Sequence, residues 1–133
     1  MTSHRPLKVL AAVAMVFGAL TVFSGGQGLF GPADTRAALG HTVGFVLWFN
    51  FLAGFVYVVA GLGLWFGRRW GLWMATALAL GTALVAIAFG AHVLAGGAFE
   101  MRTVGAMTLR FLFWAAMVWA ARPVQDAKRN GLR

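Results

Sequence analysis

The sequence predicts an all-α integral membrane protein: a single domain, residues 1–133, folded as a bundle of four transmembrane helices. Hydrophobic residues make up 61% of the 133-residue chain and charged residues only 11%, whereas a soluble domain averages about 25% charged residues. So few charged side chains cannot cover the surface of a water-soluble domain of this size. The apolar residues also gather into four long runs, which is typical of membrane-spanning helices.

Composition also excludes several other classes of protein. The chain has no Cys, so a disulfide scaffold, thiol redox chemistry and a Cys-based zinc or iron–sulfur site are excluded. It carries no P-loop, H-E-x-x-H or G-x-S-x-G pattern. The net charge of +8 is typical either of nucleic-acid binding or of membrane orientation. Because the cations stand at the ends of the apolar runs, we expect a lipid bilayer and no nucleic acid as partner.

The first two spans are predicted over residues 8–24 and 39–66. The charged start of the first span resembles a signal peptide, but it has no A-x-A cleavage pattern, so we expect an uncleaved span. The Gly-rich segment 24–28 is predicted to end it. Pro32 and Asp34 are residue types that favour a helix start, and we expect this helix to continue through Gly40 into the second span.

The third and fourth spans are predicted over residues 71–96 and 103–121. A basic turn at 67–69 precedes the third span, and a Gly pair at 96–97 precedes the fourth. Pro123 is predicted to end the fourth span, because Pro breaks helices, leaving a short basic tail at 122–133. These runs are too long and too continuously apolar for the alternating pattern of barrel strands.

The uneven distribution of Lys and Arg predicts the orientation in the membrane. Most of the 11 cations fall on one side: Arg5, Lys8, Arg68, Arg69, Arg122, Lys128, Arg129 and Arg133. The other side holds Arg36, Arg102 and Arg110. The positive-inside rule then places both termini in the cytoplasm and the protein in the inner (plasma) membrane.

Small and polar residues on the second span predict where helices touch. In lipid, helices associate through close packing and interhelical hydrogen bonds. The predicted packing residues recur at steps of three or four, as expected for contact faces: Gly40, Gly44, Asn50, Gly54, Tyr57 and Gly61. The Asn50 amide is interpreted either as an interhelical hydrogen-bonding group or as part of a ligand site.

Ionisable groups within apolar spans mark functional candidates, because their burial in lipid is costly. His41, His92 and Arg110 all fall on the predicted outer half, with Glu100 in the nearby loop. Two His side chains are suited to haem b ligation. His41 and His92 with Glu100, or with the thioethers of Met101 and Met107, are suited to a metal such as copper. The same groups also suit a quinone head group or a proton relay.

Simpler interpretations of these residues remain open. A His at a span end can face interfacial water, and Arg110 can extend along its own helix toward the surface. On an ideal helix, His41 points about 180° away from the face that carries Asn50. His92 with Arg110 is therefore a better pair than His41 with His92.

Two segments resemble the DoxX-like group of small four-span bacterial membrane proteins. They are Trp48-Phe49-Asn50-Phe51 with Gly54 and Tyr57, and residues 99–110. The resemblance extends to chain length, the Gly-rich first outer loop and the basic inner turn. It implies a bacterial membrane protein of a group in which some members accompany membrane oxidoreductases. Neither segment is a catalytic motif of that group, so the resemblance implies no site residues.

Three functions are consistent with the sequence. The first is an accessory or structural subunit that packs as a homo-oligomer or within a larger membrane complex. We expect such a subunit not to be an enzyme on its own. The second is a haem-, metal- or quinone-binding redox subunit that uses His92, His41 and Arg110. The third is a small oligomeric transporter or channel with Arg110 and Glu100 at its mouth. We expect the first, because so small a bundle has little interior for a substrate path.

Overall fold

The computed structural model describes residues 5–131, without the side chains of 128 and 129, and this part of the chain is all-α. Its helices are α1 (Arg5–Phe30), α2 (Ala33–Ala38), α3 (Gly44–Trp65), α4 (Arg69–Leu94) and α5 (Met101–Gly131). Four of them, α1, α3, α4 and the Met101–Ala127 part of α5, are long and apolar enough to cross a membrane. The prediction of an all-α chain with four such helices is confirmed. Of the predicted basic tail, Arg133 and the side chains of Lys128 and Arg129 lie outside the described residues.

The four long helices pack in the order α1–α3–α4–α5, and α1 and α5 touch only slightly. The side-chain amide of Gln125 near the end of α5 donates a hydrogen bond to the carbonyl of Gly67 in the α3–α4 turn, with a distance of 3.1 Å. Leu7 at the start of α1 and Val124 line one cavity beside the same turn. We call this end of the bundle the basic end, and we call the opposite end, formed by residues 31–43 and 95–100, the loop end.

The predicted turns at Gly67 and Gly96 end α3 and α4. Both residues have positive φ, +67° and +87°, a conformation that Gly adopts without steric cost. The backbone N–H of Arg68 donates to the carbonyl of Gly63, and that of Gly97 donates to the carbonyl of His92. These are the hydrogen bonds of a Schellman motif, which satisfies the last carbonyls of each helix.

The predicted end of the first span at residues 24–28 is wrong, because α1 continues to Phe30. Gly25 and Gly28 are buried against α3. A Cβ atom at Gly25 would lie 3.0 Å from the Cβ of Phe51, and one at Gly28 would lie 3.1 Å from Leu47. These glycines therefore act as contact points. Close helix packing offsets their low helix propensity.

The prediction that one helix runs through Gly40 is also wrong. Gly40 has a φ of +76°, which a right-handed helix cannot contain. The chain instead forms the separate short helix α2, becomes extended at Val43 and begins α3 at Gly44. As a result, α3 has 22 residues, which fits one membrane crossing without the extra length that the sequence pattern suggested.

Pro123 does not end the last helix, contrary to prediction, because α5 continues to Gly131. A Pro inside a helix removes one backbone hydrogen bond and crowds the preceding turn. Here the residues after it are held by tertiary contacts: Val124 and Gln125 are buried, and Gln125 bonds to the α3–α4 turn. Docking of this last segment at the basic end compensates for the weakened turn.

A candidate ligand site in the bundle interior

Two hydrogen bonds join the connections at the loop end. The carboxylate of Glu100 accepts a hydrogen bond from the backbone N–H of His41, at 2.8 Å. The guanidinium of Arg102 donates to the carbonyl of Leu39, at 2.6 Å. Both bonds tie the start of α5 to the segment between α2 and α3. Glu100 thus links the two connections at the loop end. His41 bonds to Glu100 through its backbone N–H, and His41 itself is exposed.

His92 lies in the last turn of α4, where it makes local contacts. Its Nε2 lies 2.9 Å from the carbonyl oxygen of Ala98. The tautomer that carries its proton on Nε2 donates a hydrogen bond to this carbonyl. The ring also lies close to Phe45 and stacks on Phe89, with centroid separations of 6.3 and 6.5 Å. These contacts make His92 part of the α4–α5 turn.

The residues predicted as metal ligands do not form a three-ligand cluster. Within residues 5–131, no three side chains of His, Asp or Glu lie together as a metal site requires. The predicted set of His41, His92 and Glu100 is therefore not assembled. His92 is hydrogen-bonded within the α4–α5 turn, and the backbone of His41 bonds to Glu100 across the loop end, so neither the haem nor the copper prediction gains a geometric argument.

Arg110 is the predicted candidate that reaches the interior. Its guanidinium donates a hydrogen bond to the hydroxyl of Thr21 on α1, at 3.0 Å, and lies 5.1 Å from the ring centroid of Phe17. Thr21 is only 3% exposed. The Arg110 side chain thus bridges α5 and α1 where these helices otherwise touch only slightly. The predicted pairing of Arg110 with His92 is not seen, since each has other partners.

Several buried polar atoms on α3, α4 and α5, Arg110 Nε among them, form an unusual set. They have no hydrogen-bond partner in the described part of the chain: Asn50 Oδ1, Tyr57 Oη, Thr82 Oγ1, Arg110 Nε and Trp114 Nε1. Tyr57, Thr82 and Trp114 are fully buried. Buried polar groups in native proteins nearly always have partners, so each such atom calls for water, an ion or a ligand. These atoms are therefore candidate hydrogen-bonding positions for a polar partner.

A cavity of about 170 Å³ lies near the loop end and has Asn50, one of the residues with an unpartnered atom, in its wall. Its walls come from α1, the α2–α3 connection, α3 and α5: Ser24, Leu39, Thr42, Val43, Val46, Leu47, Asn50, Arg102, Thr103 and Ala106. The volume is enough for several water molecules but is below the range of about 300–1,000 Å³ for sites that take drug-sized ligands.

Helix geometry gives the depth of Arg110 and Thr21 relative to the residues that line this cavity. Residues three or four positions apart lie on one face of a helix, about one turn or 5.4 Å apart along its axis. Thr21 therefore lies one turn deeper than Ser24, and Arg110 one turn deeper than Ala106. A further turn down, the rings of Phe17 and Tyr57 and those of Tyr57 and Trp114 pack with centroids 5.4 and 4.9 Å apart. These rings form an aromatic layer on the basic-end side of Arg110.

The predicted packing stripe divides into two parts. Gly54 and Gly61 are buried against α1, where added Cβ atoms would lie 3.0 Å from the carbonyl of Gly18 and 2.9 Å from that of Ala11. Tyr57 is fully buried beside them. In contrast, a Cβ at Gly44 would have no neighbour within 4 Å. Gly40 lies in the connection rather than on a helix face. Gly40 and Gly44 therefore do not pack helices within this chain.

Sequence reasoning did not single out Thr21, Thr82 and Trp114. A usable signal was present for two of them: Thr21 interrupts an otherwise apolar span, and Trp114 lies four residues after Arg110, on the same helix face. Nothing in the sequence pattern indicated that Thr21 and Arg110, which are 89 residues apart, would meet. That contact depends on how α1 and α5 are arranged around α3.

Comparison with protein-family models, curated proteins and solved structures finds no match to this chain.

Proposed function

We propose that the chain is a multi-pass protein of the inner membrane that acts as an accessory subunit, packing against a second membrane protein or another copy of itself. The observation that carries the proposal is a cluster of aromatic side chains on the outer surface near the loop end, which we call the aromatic patch: Phe30, Trp48, Phe51 and Phe55. Their rings contact one another edge to face, with centroids 5.3 to 6.2 Å apart.

The aromatic patch has the character of an interface. Phe30, Trp48 and Phe55 are 67%, 47% and 50% exposed, although their rings are already held in place by mutual contacts. Aromatic residues are enriched in the buried core of protein–protein interfaces, where rigid rings give a large contact area at a small cost in conformational entropy. The cavity near the loop end, in contrast, has a volume of only about 170 Å³, which is small for a large substrate.

The remaining outer surface supports a lipid environment. Large apolar side chains point outward from all four long helices, among them Val16, Phe23, Leu84, Ile87 and Leu112, each more than half exposed. In water this surface would aggregate, and in a bilayer it is the ordinary lipid-facing surface. Trp65, Trp70, Trp73 and Trp119 are exposed toward the basic end, as expected for side chains at the membrane boundary.

We further propose that both termini are cytoplasmic. The start of α1 and the end of α5 lie together at the basic end, so they share one side in any arrangement that spans a membrane. That end carries Arg5, Lys8, Arg68 and Arg69, whereas the loop end carries Arg36 and Arg102. The bias of cations supports the basic end as the cytoplasmic one.

The orientation is tested by cysteine labelling, for which this Cys-free chain is a natural background. In intact spheroplasts, a membrane-impermeant maleimide is expected to label Asp34→Cys at the loop end and to leave Arg69→Cys unlabelled until the membrane is opened with detergent. The unsubstituted chain controls for background. Labelling of Arg69→Cys alone in intact spheroplasts would reverse the orientation, and recovery of the chain in the soluble fraction would remove the membrane proposal.

The accessory role is tested by native mass spectrometry of the tagged chain in mild detergent. We expect a second polypeptide, either another copy or a different protein, at fixed stoichiometry. A Trp48→Ala, Phe55→Ala double variant is expected to lose it, because truncating central aromatic anchors costs about 2 kcal/mol or more each. Leu84→Ala with Ile87→Ala, at more exposed positions on α4, is the matched control. A monomeric parent chain, or equal retention in both double variants, would contradict the proposal.

A further inference from the structure

We infer that a groove along the outer face of α1 binds one anionic phospholipid from the membrane leaflet at the basic end. This groove, which we call the α1 groove, has a volume of about 720 Å³ and is lined by Arg5, Lys8, Val9, Ala12, Val13, Val16, Phe17, Leu20 and Trp65. Its volume lies within the range of about 300–1,000 Å³ that is typical of ligand sites. The inference rests on the proposed membrane location and is independent of the accessory role.

The length of the α1 groove matches the depth of one leaflet. Each of its α1 residues has another three or four positions away, so together they form one face of the helix. Lys8 and Leu20 lie about 18 Å apart along the helix axis, and half of the hydrocarbon core is about 15 Å thick. Ala12, whose side chain is small, lies between Val9 and Val16 on this face. In a bilayer, the groove therefore extends from the membrane boundary to the midplane.

The walls of the α1 groove need little ordering when an acyl chain binds. Val9, Val13 and Val16 are exposed, and their β-branched side chains have few rotamers to lose. A further wall comes from the indole of Trp65 on α3. In lipid, such apolar surfaces associate through van der Waals packing. Because the chains of any phospholipid can make these contacts, selectivity depends on the headgroup.

The charge at one end of the α1 groove selects an anionic headgroup. Arg5 and Lys8 lie about one helical turn apart at the basic end, and among the described residues that line the groove none is acidic. The ammonium of Lys8 lies 5.2 Å from the centroid of the Trp65 ring, a cation–π contact. Trp side chains favour the headgroup level of a bilayer, so this contact holds the ammonium where a lipid phosphate lies. Basic pockets at the surface of transmembrane helices suit anionic lipid headgroups.

A second copy of the chain fits the α1 groove poorly. In a two-fold dimer the same surface of each copy meets, so contact between grooves would bring Arg5 and Lys8 of both copies together, and like charges repel across an interface. A free phosphate ion would use the cations but leave the apolar length of the groove unfilled. An anionic phospholipid matches both parts.

The experiment is native mass spectrometry of the purified full-length chain in mild detergent with equal amounts of dioleoyl phosphatidylglycerol and dioleoyl phosphatidylcholine. We expect one phosphatidylglycerol to stay bound per chain. Arg5→Gln with Lys8→Gln is expected to weaken its binding by about tenfold or more. Arg68→Gln with Arg69→Gln removes the same charge from exposed positions at the same end and is expected to retain the lipid. Equal retention of both lipids by the parent chain, or equal loss in both double variants, would overturn the site.

A substitution in the apolar part keeps the inference testable if the charge variant does not fold. Val13→Trp is expected to lower phosphatidylglycerol retention, because the indole takes the space of the acyl chain, whereas Leu84→Trp, at an exposed position on α4, is expected to leave it unchanged. Glycerol phosphate, which carries the charge without the chains, is expected not to displace the lipid.

Three other results would overturn the inference. Displacement of the lipid by glycerol phosphate would indicate a phosphate site. Loss of a bound polypeptide in Val13→Trp, with the lipid retained, would assign the α1 groove to a protein. Retention of phosphatidylglycerol in Val13→Trp at the parent level would place the lipid elsewhere. Recovery of the chain in the soluble fraction would remove the membrane proposal itself, whereas a membrane-bound chain without this lipid preference overturns this inference alone.

Discussion

Substitution of Gly18 by alanine is expected to separate α1 from α3 and to destabilise the bundle strongly. A Cβ atom at this position would lie 2.7 Å from the carbonyl oxygen of Gly54, 2.8 Å from Tyr57 Cβ and 2.9 Å from Val58 Cγ2. Two of these atoms belong to the backbone or to a Cβ, so side-chain rotation cannot relieve the overlap. The helices must move apart along their most extensive contact.

The expected loss is about 3 kcal/mol in the free energy of unfolding, at the upper end of the range for overpacked cores. Separation of α1 from α3 would also carry Thr21, one turn away, from Arg110. The measurement is Tm of the purified chain in detergent, followed by circular dichroism.

Gly90→Ala is the matched control for Gly18→Ala. Gly90 also lies inside a long helix, but a Cβ there would meet nothing within 4 Å. Alanine has the higher helix propensity, by about 1 kcal/mol, so this variant is expected to match or exceed the Tm of the parent chain. Equal losses in both variants would mean that the close α1–α3 approach does not determine stability.

Arg110→Met is expected to raise the free energy of unfolding of the chain. The parent side chain holds a positive charge in an apolar interior without a carboxylate partner, compensated only by the Thr21 hydroxyl and the Phe17 ring. Replacing buried charged groups with apolar side chains of similar volume often stabilises proteins by about 1–4 kcal/mol. Methionine fits irregular space well, and the Thr21 hydroxyl that remains is uncharged.

The Tm of the purified chain in detergent checks this prediction. Arg122→Met, at an exposed site, is expected to change the free energy of unfolding by no more than about 0.5 kcal/mol. A lower Tm for Arg110→Met than for the parent chain would show that the bridge from Arg110 to Thr21 contributes net stability. Arg110 would then be a structural link between α5 and α1 rather than a residue kept at a cost for binding.

The two substitutions test different features: Gly18→Ala tests close helix packing, and Arg110→Met tests the buried charge. Gly18 lies where backbones touch, so any added atom acts on the whole bundle. Arg110 lies where the bundle leaves polar groups without partners, so its removal is expected to relieve a cost. Residues retained despite such a cost are typical of functional sites, where stability is given up for activity or binding.

Sequence reasoning predicted the long helices well and their ends poorly. Hydrophobic run length and the turns at Gly67 and Gly96 depend on local residue types, which a sequence displays directly. The same local rules misplaced the end of α1. Gly25 and Gly28 have low helix propensity, but in the structure they pack closely against α3 and the helix continues through them. These rules also misplaced the end of α5, because Pro123 weakens only its own turn and the contacts after it compensate.

For the candidate site, the sequence predicted the important cation and the wrong partners. Arg110 stood out because ionisable residues are rare in apolar spans. His92 seemed its partner from the helix face that it occupies, yet a face on one helix does not say which helices are neighbours. The structure places Thr21 next to Arg110 and keeps His92 at the α4–α5 turn.

By itself, the sequence determined the helical class, the four apolar helices and the asymmetry of charge between the two ends, because these follow from composition and from spacing along one helix. Only the tertiary structure decided which faces meet. Contacts between residues dozens of positions apart depend on the order of helices around the bundle and on how closely glycines let backbones approach. The contact between Arg110 and Thr21 is a product of that arrangement, since it joins side chains from α5 and α1.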